Sequence, residues 1–435
     1  MRVGVVGAGV AGLTAAWLLD DAHDVTVFEA RSRIGGNARS ITVRLADSTV
    51  SLDIGAQDFT FAGFPHHARL LELLGLAPSA LVDVPMSLTV SASGRSRPVL
   101  VTNHTPAVDR GRAPVLGDAQ EALNAFLARA AQWETDDVSW EKPLAELIEP
   151  LNTSTDLKEN LLYAWPAAIF GCSNERAREM SARAATAFLV CGPAPAAGAA
   201  AVWQNLRGGL ESLAWALAAD LSPRATIRTG APVQAIRQSF GCLEVLETSG
   251  RRTEVDRVVF GAPAEAVGPM LAAMPGTERL RETLASITYA DAVFGLHLDP
   301  TYLPSSREFW STTNLEVRDG WSHSTSWFGP AHGVDVFKSR LTNREKEPER
   351  LLARAEFRHP FPSPEAMRAQ CRLADLQGTA HLHFAGSYVS GVDGQESSVV
   401  TALEAAGPLV PGGRRFEALR SAASAPSPHD PRQRS

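Results

Sequence analysis

The hydrophobic pattern opens with a short apolar run at residues 2–6 that ends in glycines. Residues 10–19 follow with Leu13, Ala16 and Trp17 at helical spacing, and residues 24–29 alternate through Val25 and Val27 to an acid. This predicts a β-α-β opening, right-handed, with its glycine turn at the carboxyl end of the first strand. Residues 48–53 read as another strand. Residues 67–74 read as an amphipathic helix stopped by Gly75, and 119–162 as helix-rich. Leu210, Leu213, Ala214 and Leu217 line one face of a helix over 210–220. Short strands are predicted at 225–228, 233–237, 243–247, 257–260, 290–297 and 382–385, and a helix at 399–409 ends before Pro411. Strand-helix strips at the start, middle and end imply an α/β fold. One domain is assembled from segments 1–85, 205–275 and 376–412, and a second, α+β, from 86–204 and 276–375. The Ser-, Pro- and Arg-rich stretch 413–435 is predicted disordered.

Composition narrows the function. At ~150 residues per domain, 435 residues make roughly three domain-sized units. Lys+Arg 41 against Asp+Glu 48 gives 41 − 48 = −7, a poor balance for bulk nucleic-acid or anionic-lipid binding. The four cysteines form no C-x-x-C pair and no disulfide framework, which fits a reduced cytoplasm. The uncharged stretch 184–206 is broken by Gly192, Pro193, Pro195 and Gly198, and no transmembrane segment is expected. His66-His67 reads as a helix start. His381 and His383 alternate on a strand without further ligands, so no metal site is expected. Oligomeric state is not legible.

The sharpest signal is Gly7-Ala8-Gly9-Val10-Ala11-Gly12, a G-x-G-x-x-G that follows a strand and opens a helix, with Glu29 ending the next strand. Gly7 permits the tight turn, Gly9 lets backbone approach a pyrophosphate, and Gly12 lets helix and strand pack closely. The helix N-terminus offers free N–H groups to phosphate. Glu29 suits ribose hydroxyls and repels a 2′-phosphate. Ala30, Arg31, Gly35, Gly36, Asn37, Ala38 and Arg39 then extend the cradle, with Arg31 or Arg39 placed to neutralise phosphate.

Glu29, Arg31 and Gly35-Gly36 resemble the FAD-binding flavoproteins of the amine oxidase and phytoene desaturase superfamily. Further places agree: residues 52–56 with Gly55 and Ala56 leading to the flavin ring, Ala231-Pro232-Val233, and Gly386-Ser387 with Ser398-Val399 at the last strand-loop-helix. The resemblance implies a Rossmann-like FAD-binding domain with noncovalent FAD and an inserted substrate-binding domain. It also implies a helix aimed at the flavin side where negative charge develops. Residues 163–170, 203–209 and 295–311 resemble a narrower group, bacterial flavoproteins associated with cyclopropane-fatty-acid-synthase-like methyltransferases. Three departures stand out. Asn37 replaces a frequent Arg, and Ser387 replaces a frequent acid. The strand at 290–297, where amine oxidases often hold a lysine near the flavin, has only His297 as a basic group.

The resemblance thus implies an FAD-dependent oxidoreductase that removes a hydride from carbon. The small-molecule substrate is expected to be apolar or amphipathic, acyl or lipid-like, and to undergo desaturation or oxidation. An amine or amino-acid oxidase, a redox-neutral double-bond isomerase and a flavin-free binding protein are the alternatives. His297, Gln57 and Tyr388 are the candidates for catalysis or substrate orientation. Phe59, Trp310 and Trp327 are the candidate substrate-lining aromatics.

Overall fold

The computed structural model describes residues 1–103, 114–190 and 202–421. Part of the uncharged stretch 184–206, Cys191 and the tail beyond 421 lie outside them. Cys172 and Cys242 are free thiols.

Five parallel strands stand in the order Leu382–Phe384, Arg257–Phe260, Arg2–Val6, Asp24–Phe28, Ala225–Arg228. They come from early, middle and late parts of the chain. Their apolar runs follow from burial on both faces. Val3, Val5, Val25, Val27 and Val259 pack under the helices Val10–Leu19, Glu211–Ala219 and Gln395–Ala406. Val6, Phe28, Val258 and Phe260 pack against a three-stranded antiparallel sheet over Val233–Ser239, Cys242–Glu247 and Arg252–Val255. The Val10–Leu19 helix is buried from Ala11 to Leu19, so it is apolar all round rather than one-sided.

A second sheet has seven strands, in the order Leu351–Pro360, Tyr289–His297, Phe337–Arg340, Trp321–Trp327, Thr313–Arg318, Leu88–Ala92, Leu100–Val101. All neighbours are antiparallel except Thr313–Arg318 with Leu88–Ala92. Opposed residues share a face. The pairs Phe294↔Arg340, Leu296↔Lys338 and Ser326↔Lys338 therefore set these side chains on one face. His297, Phe337, Ser339, Thr325 and Trp327 lie on the other. At one end of the first face, Leu88, Val90, Leu315 and Val317 pack under the helices of 114–190. At the other, Ala292, Leu296 and Phe357 pack on Leu52 and Ile54.

The order extends past residue 412, where the sequence reading ends the fold. A helix over Arg414–Arg420 docks through fully buried Leu419. Arg415 donates to the carboxylates of Asp20 and Asp220. Two apolar positions three residues apart, Phe416 and Leu419, are enough to hold this short helix once Arg415 is paired. Among the described residues no helix is long and apolar enough to cross a membrane, and no His/Cys/Asp/Glu group is arranged to hold a metal ion.

Candidate functional site

The glycine turn builds a groove from backbone. Gly7 has φ +101°, and a Cβ on Gly12 would collide with the Gly7 carbonyl, so both positions require glycine. Gly35 N donates to Ala8 O at 2.8 Å, and a Cβ on Gly36 would lie 3.0 Å from Gly9 Cα. Gly9 differs. Its nearest neighbour to a Cβ is Gly36 Cα at 3.9 Å, so the space above it is left free by the protein. Such a cradle fits a pyrophosphate on the N-terminus of the Val10–Leu19 helix.

Glu29 closes one end. Its carboxylate accepts from Ala8 N and Arg31 N, both at 2.8 Å, which leaves lone pairs for a ribose. Gly230 N donates to Arg31 O and Ala231 N to Glu29 O, both at 2.8 Å. The strand that starts at Val233 thus begins beside Glu29 and Ala30. Towards the other end, Asn37 O accepts from Ala56 N at 2.9 Å, and Arg39 O accepts from Ile54 N at 3.0 Å and Gly55 N at 3.2 Å. Residues 37–39, with buried Ala38 between, therefore run alongside Gly55 and Ala56.

The Gln395–Ala406 helix, which carries Ser398 and Val399, ties into the same place. Gln395 Nε2 reaches Gln57 O at 3.4 Å and Asp58 O at 3.3 Å. Glu396 accepts from the backbone N–H groups of His66 and His67 at 3.1 and 2.9 Å and contacts His66 Nδ1 at 2.6 Å. An acid at the N-terminus of the Pro65–Leu73 helix is favourable for the same reason that a phosphate is. Gly386 N donates to Thr401 Oγ1 at 2.8 Å. Ser387 donates to Asp393 at 2.5 Å, and Asp393 also contacts His359 Nδ1 at 2.6 Å. Burial pushes the Asp393 carboxyl up, but the bonds from His359 and Ser387 outweigh it and hold the group below the usual carboxylate range. A carboxylate thus stands beside Ser387, where the sequence alone has no acid.

The seven-stranded sheet brings two buried basic side chains to this end. Lys338 Nζ donates to Gly55 O at 2.9 Å. Burial pulls its amine down from the ordinary lysine value, while Asp58 and Asp53 pull it back up. Asp53 is itself pushed up to about 6 by burial, against bonds from Ser40 and Leu210 N. Tyr289–His297 has no lysine, but the adjacent strand places Lys338 opposite Leu296. Two residues on, Arg340 donates from Nη2 to Ile169 O at 3.2 Å. The ring of Phe294 lies 5.5 Å from the Lys338 ammonium and 4.8 Å from the Arg340 guanidinium.

Phe294, Ser324 and Ser326 are only half-buried although they sit in mid-sheet. Across from them Trp165 and Ile169, four apart on the Ala164–Phe170 helix, are half-buried too. Residues that deep keep exposed surface where they face an open space, and from this shared partial exposure we infer a chamber between that helix and the sheet, beside Lys338.

The expected orienting and lining residues divide. Gln57 lies at the junction, and its buried Oε1 has no partner among the described residues. Tyr388 is buried with its hydroxyl likewise unpartnered, and burial raises it well above the ordinary tyrosine value. Phe59 is fully buried, stacked near Phe61 and edge-on to His67, so it is core and not chamber wall. His297 bonds Ser339 at 2.9 Å, and Trp310 packs at right angles to Trp327 and Phe337. His297 and Trp327 are on the sheet face turned away from Gly55, because strand parity places them opposite Lys338, and Trp310 packs on that same face. Lys338 and Arg340 were not singled out from sequence, and their only signal is two basic residues at period two in a short strand.

The matches to known proteins agree with this geometry. The model of the flavin containing amine oxidoreductase family matches residues 10–297, more than half of the chain. Protoporphyrinogen oxidase 2 of Arabidopsis thaliana is 32% identical over 149 residues, 34% of this chain and 28% of that protein. The chain matches less than a third of the length of the curated relatives it resembles. Cyclohexylamine oxidase from Brevibacterium oxydans superposes with a TM-score of 0.64 at 17% identity, covering 97% of this chain and 98% of that one. A fatty acid isomerase from P. acnes that produces CLA gives 0.62 at 15%, covering 92% and 97%. At such identities the structures attest the fold alone. The chain belongs to the flavin containing amine oxidoreductase family.

Proposed function

We propose that this enzyme removes a hydride from a carbon of an apolar or amphipathic substrate, acyl or lipid-like, to desaturate or oxidise it. When bound, FAD would supply the hydride acceptor, and a proton lost from a neighbouring substrate atom in forming a double bond would pass to solvent. Gly7 to Gly12, Glu29 to Arg31, Gly35 to Arg39, Val233 and Ser398-Val399 are assigned to hold the cofactor, as part of the FAD-binding segments 1–85, 205–275 and 376–412. Segments 86–204 and 276–375 are assigned to the substrate.

The observation that carries the reading is the chamber wall. Trp165, Ile169 and Phe294 offer apolar surface, and the charged groups beside them are Lys338 and Arg340. An alkylammonium substrate would meet like charge there in a low-dielectric space. The resemblance to flavoproteins that accompany cyclopropane-fatty-acid-synthase-like methyltransferases supports the same substrate class. A second reading, oxidation of amines with oxygen as acceptor, is favoured by one feature, the Lys338 ammonium against Gly55.

Anaerobic titration of the purified holoenzyme separates the two. Medium-chain acyl compounds should bleach the flavin spectrum, and a panel of alkylamines should not. Bleaching by amines alone would replace the acyl reading with the second.

A further inference from the structure

Arg340 is the most conspicuous unused group in the molecule. It is 4% exposed, yet its Nε and Nη1 have no hydrogen-bond partner among the described residues. Its contacts are the Ile169 carbonyl, the Phe294 ring and the space above Gly171. Gly171 has φ +71° and caps the Ala164–Phe170 helix, and its missing side chain makes room for the guanidinium. Among the described residues no carboxylate balances it. The groups that interact with it electrostatically are the buried, neutral Cys172 thiol, Lys338, which is of like sign, and His323. Lys338 by contrast has Asp53 and Asp58.

A guanidinium buried without a counter-ion costs several kcal/mol, and proteins seldom keep one that nothing occupies. Nε or Nη1, joined by the second N–H of Nη2, makes a planar donor fork, the shape that accepts a carboxylate through two parallel bonds. It lies on the same face and strand as Lys338, two residues away, hence about 7 Å along the strand. The half-buried Phe294, Trp165 and Ile169 adjoin it, so a ligand seated there has an apolar body and one negative end.

We propose that Arg340 is the substrate-anchoring residue of this enzyme and that its ligand is the carboxylate of an organic acid with an apolar body. This rests on the reading above and deepens it. The acid end lies in the fork of Arg340 between Ile169 and Phe294, and the apolar body runs along the chamber towards Lys338 and Gly55. A single carboxylate matches the one positive charge of Arg340, whereas a dianionic phosphate would leave a charge uncompensated.

The test uses wild-type holoenzyme with 3-phenylpropionate and its neutral isostere 3-phenylpropionamide, read by the change in flavin absorbance and by calorimetry. The acid should bind at least about thirtyfold tighter than the amide, as a charge-assisted bidentate pair gives. Arg340→Met should bring the two within about threefold of each other, and Arg340→Lys should restore part of the preference. Flavin content and melting temperature check that the variants are folded. If they are not, the wild-type comparison still decides. Equal affinities in the wild type, or an acid preference that survives Arg340→Met, overturns the assignment. If acyl compounds bleach the flavin but show no acid preference, only the role of Arg340 falls. If amines alone bleach it, the functional reading itself falls.

Discussion

The two sheets solve different problems with different parts of the chain. The parallel sheet packs mainly through apolar side chains, and its contribution to the site is mostly backbone, a glycine turn and a helix N-terminus, with the Glu29 carboxylate at a strand end. The seven-stranded sheet contributes side chains. Its buried polar and charged residues include Ser322, His323, Thr325, Lys338, Ser339 and Arg340 on the Trp321–Trp327 and Phe337–Arg340 strands alone. A backbone cradle suits a ligand that never changes. A wall of side chains suits a substrate whose identity is set by which groups face it.

The largest effect is expected where backbone is the site. Gly9→Leu should leave the fold intact, since no protein atom lies closer than 3.9 Å to the new Cβ, but should fill the cradle. FAD affinity should drop at least about a thousandfold, roughly 4 kcal/mol. Released FAD per chain, with circular dichroism to confirm folding, measures it. Normal loading would refute the placement of the phosphate turn.

Next come the charges of the second sheet. Lys338→Met removes the one counter-charge of Asp53 and Asp58 and should destabilise the holoenzyme by about 3 kcal/mol in urea unfolding. Adding Asp58→Asn should recover part of that loss. An unchanged stability in the single variant would show that the pairing is not what holds Gly55 to the sheet.

The smallest effect belongs to the face turned away. Burial lowers His297 and His323 to about 4 each. Between that value and the unfolded value of about 6.5 the unfolded chain binds more protons, so stability is lost as pH falls below about 6.5. Each contributes on the order of 1–2 kcal/mol at pH 5. Asp53 works in the opposite sense: raised to about 6, it takes up its proton earlier in the native state and offsets about 1 kcal/mol as pH falls. Unfolding at pH 7 and pH 5 should therefore show a net loss at pH 5, and His297→Asn with His323→Asn should reduce it without abolishing it, since buried His67 and His383 are lowered to about 3 and about 4 and act in the same sense.

The same contrast explains what was legible in sequence. The strands 2–6, 24–28, 257–260 and 382–384 are short apolar runs bounded by glycine or acid, and the glycine spacing marks the cradle outright. Most of the seven-stranded sheet escaped the reading. Trp321–Trp327 (WSHSTSW) and Phe337–Arg340 (FKSR) have polar residues on buried faces, so no period-two apolar signal survives. Of that sheet only 290–297 reads as a strand, and it carries His297 on the far face. Asp393 was invisible for a different reason. It reaches Ser387 from six residues away across a loop, a contact that no local spacing encodes.

The most direct test of the account is a matched pair with one apolar body and opposite charge. Dodecanoate and dodecylamine are titrated anaerobically into the holoenzyme while the flavin spectrum is followed. A chamber walled by Phe294, Trp165 and Ile169 beside Lys338 and Arg340 predicts that dodecanoate perturbs or bleaches the flavin and that dodecylamine does neither. Bleaching by dodecylamine with no response to dodecanoate would contradict it.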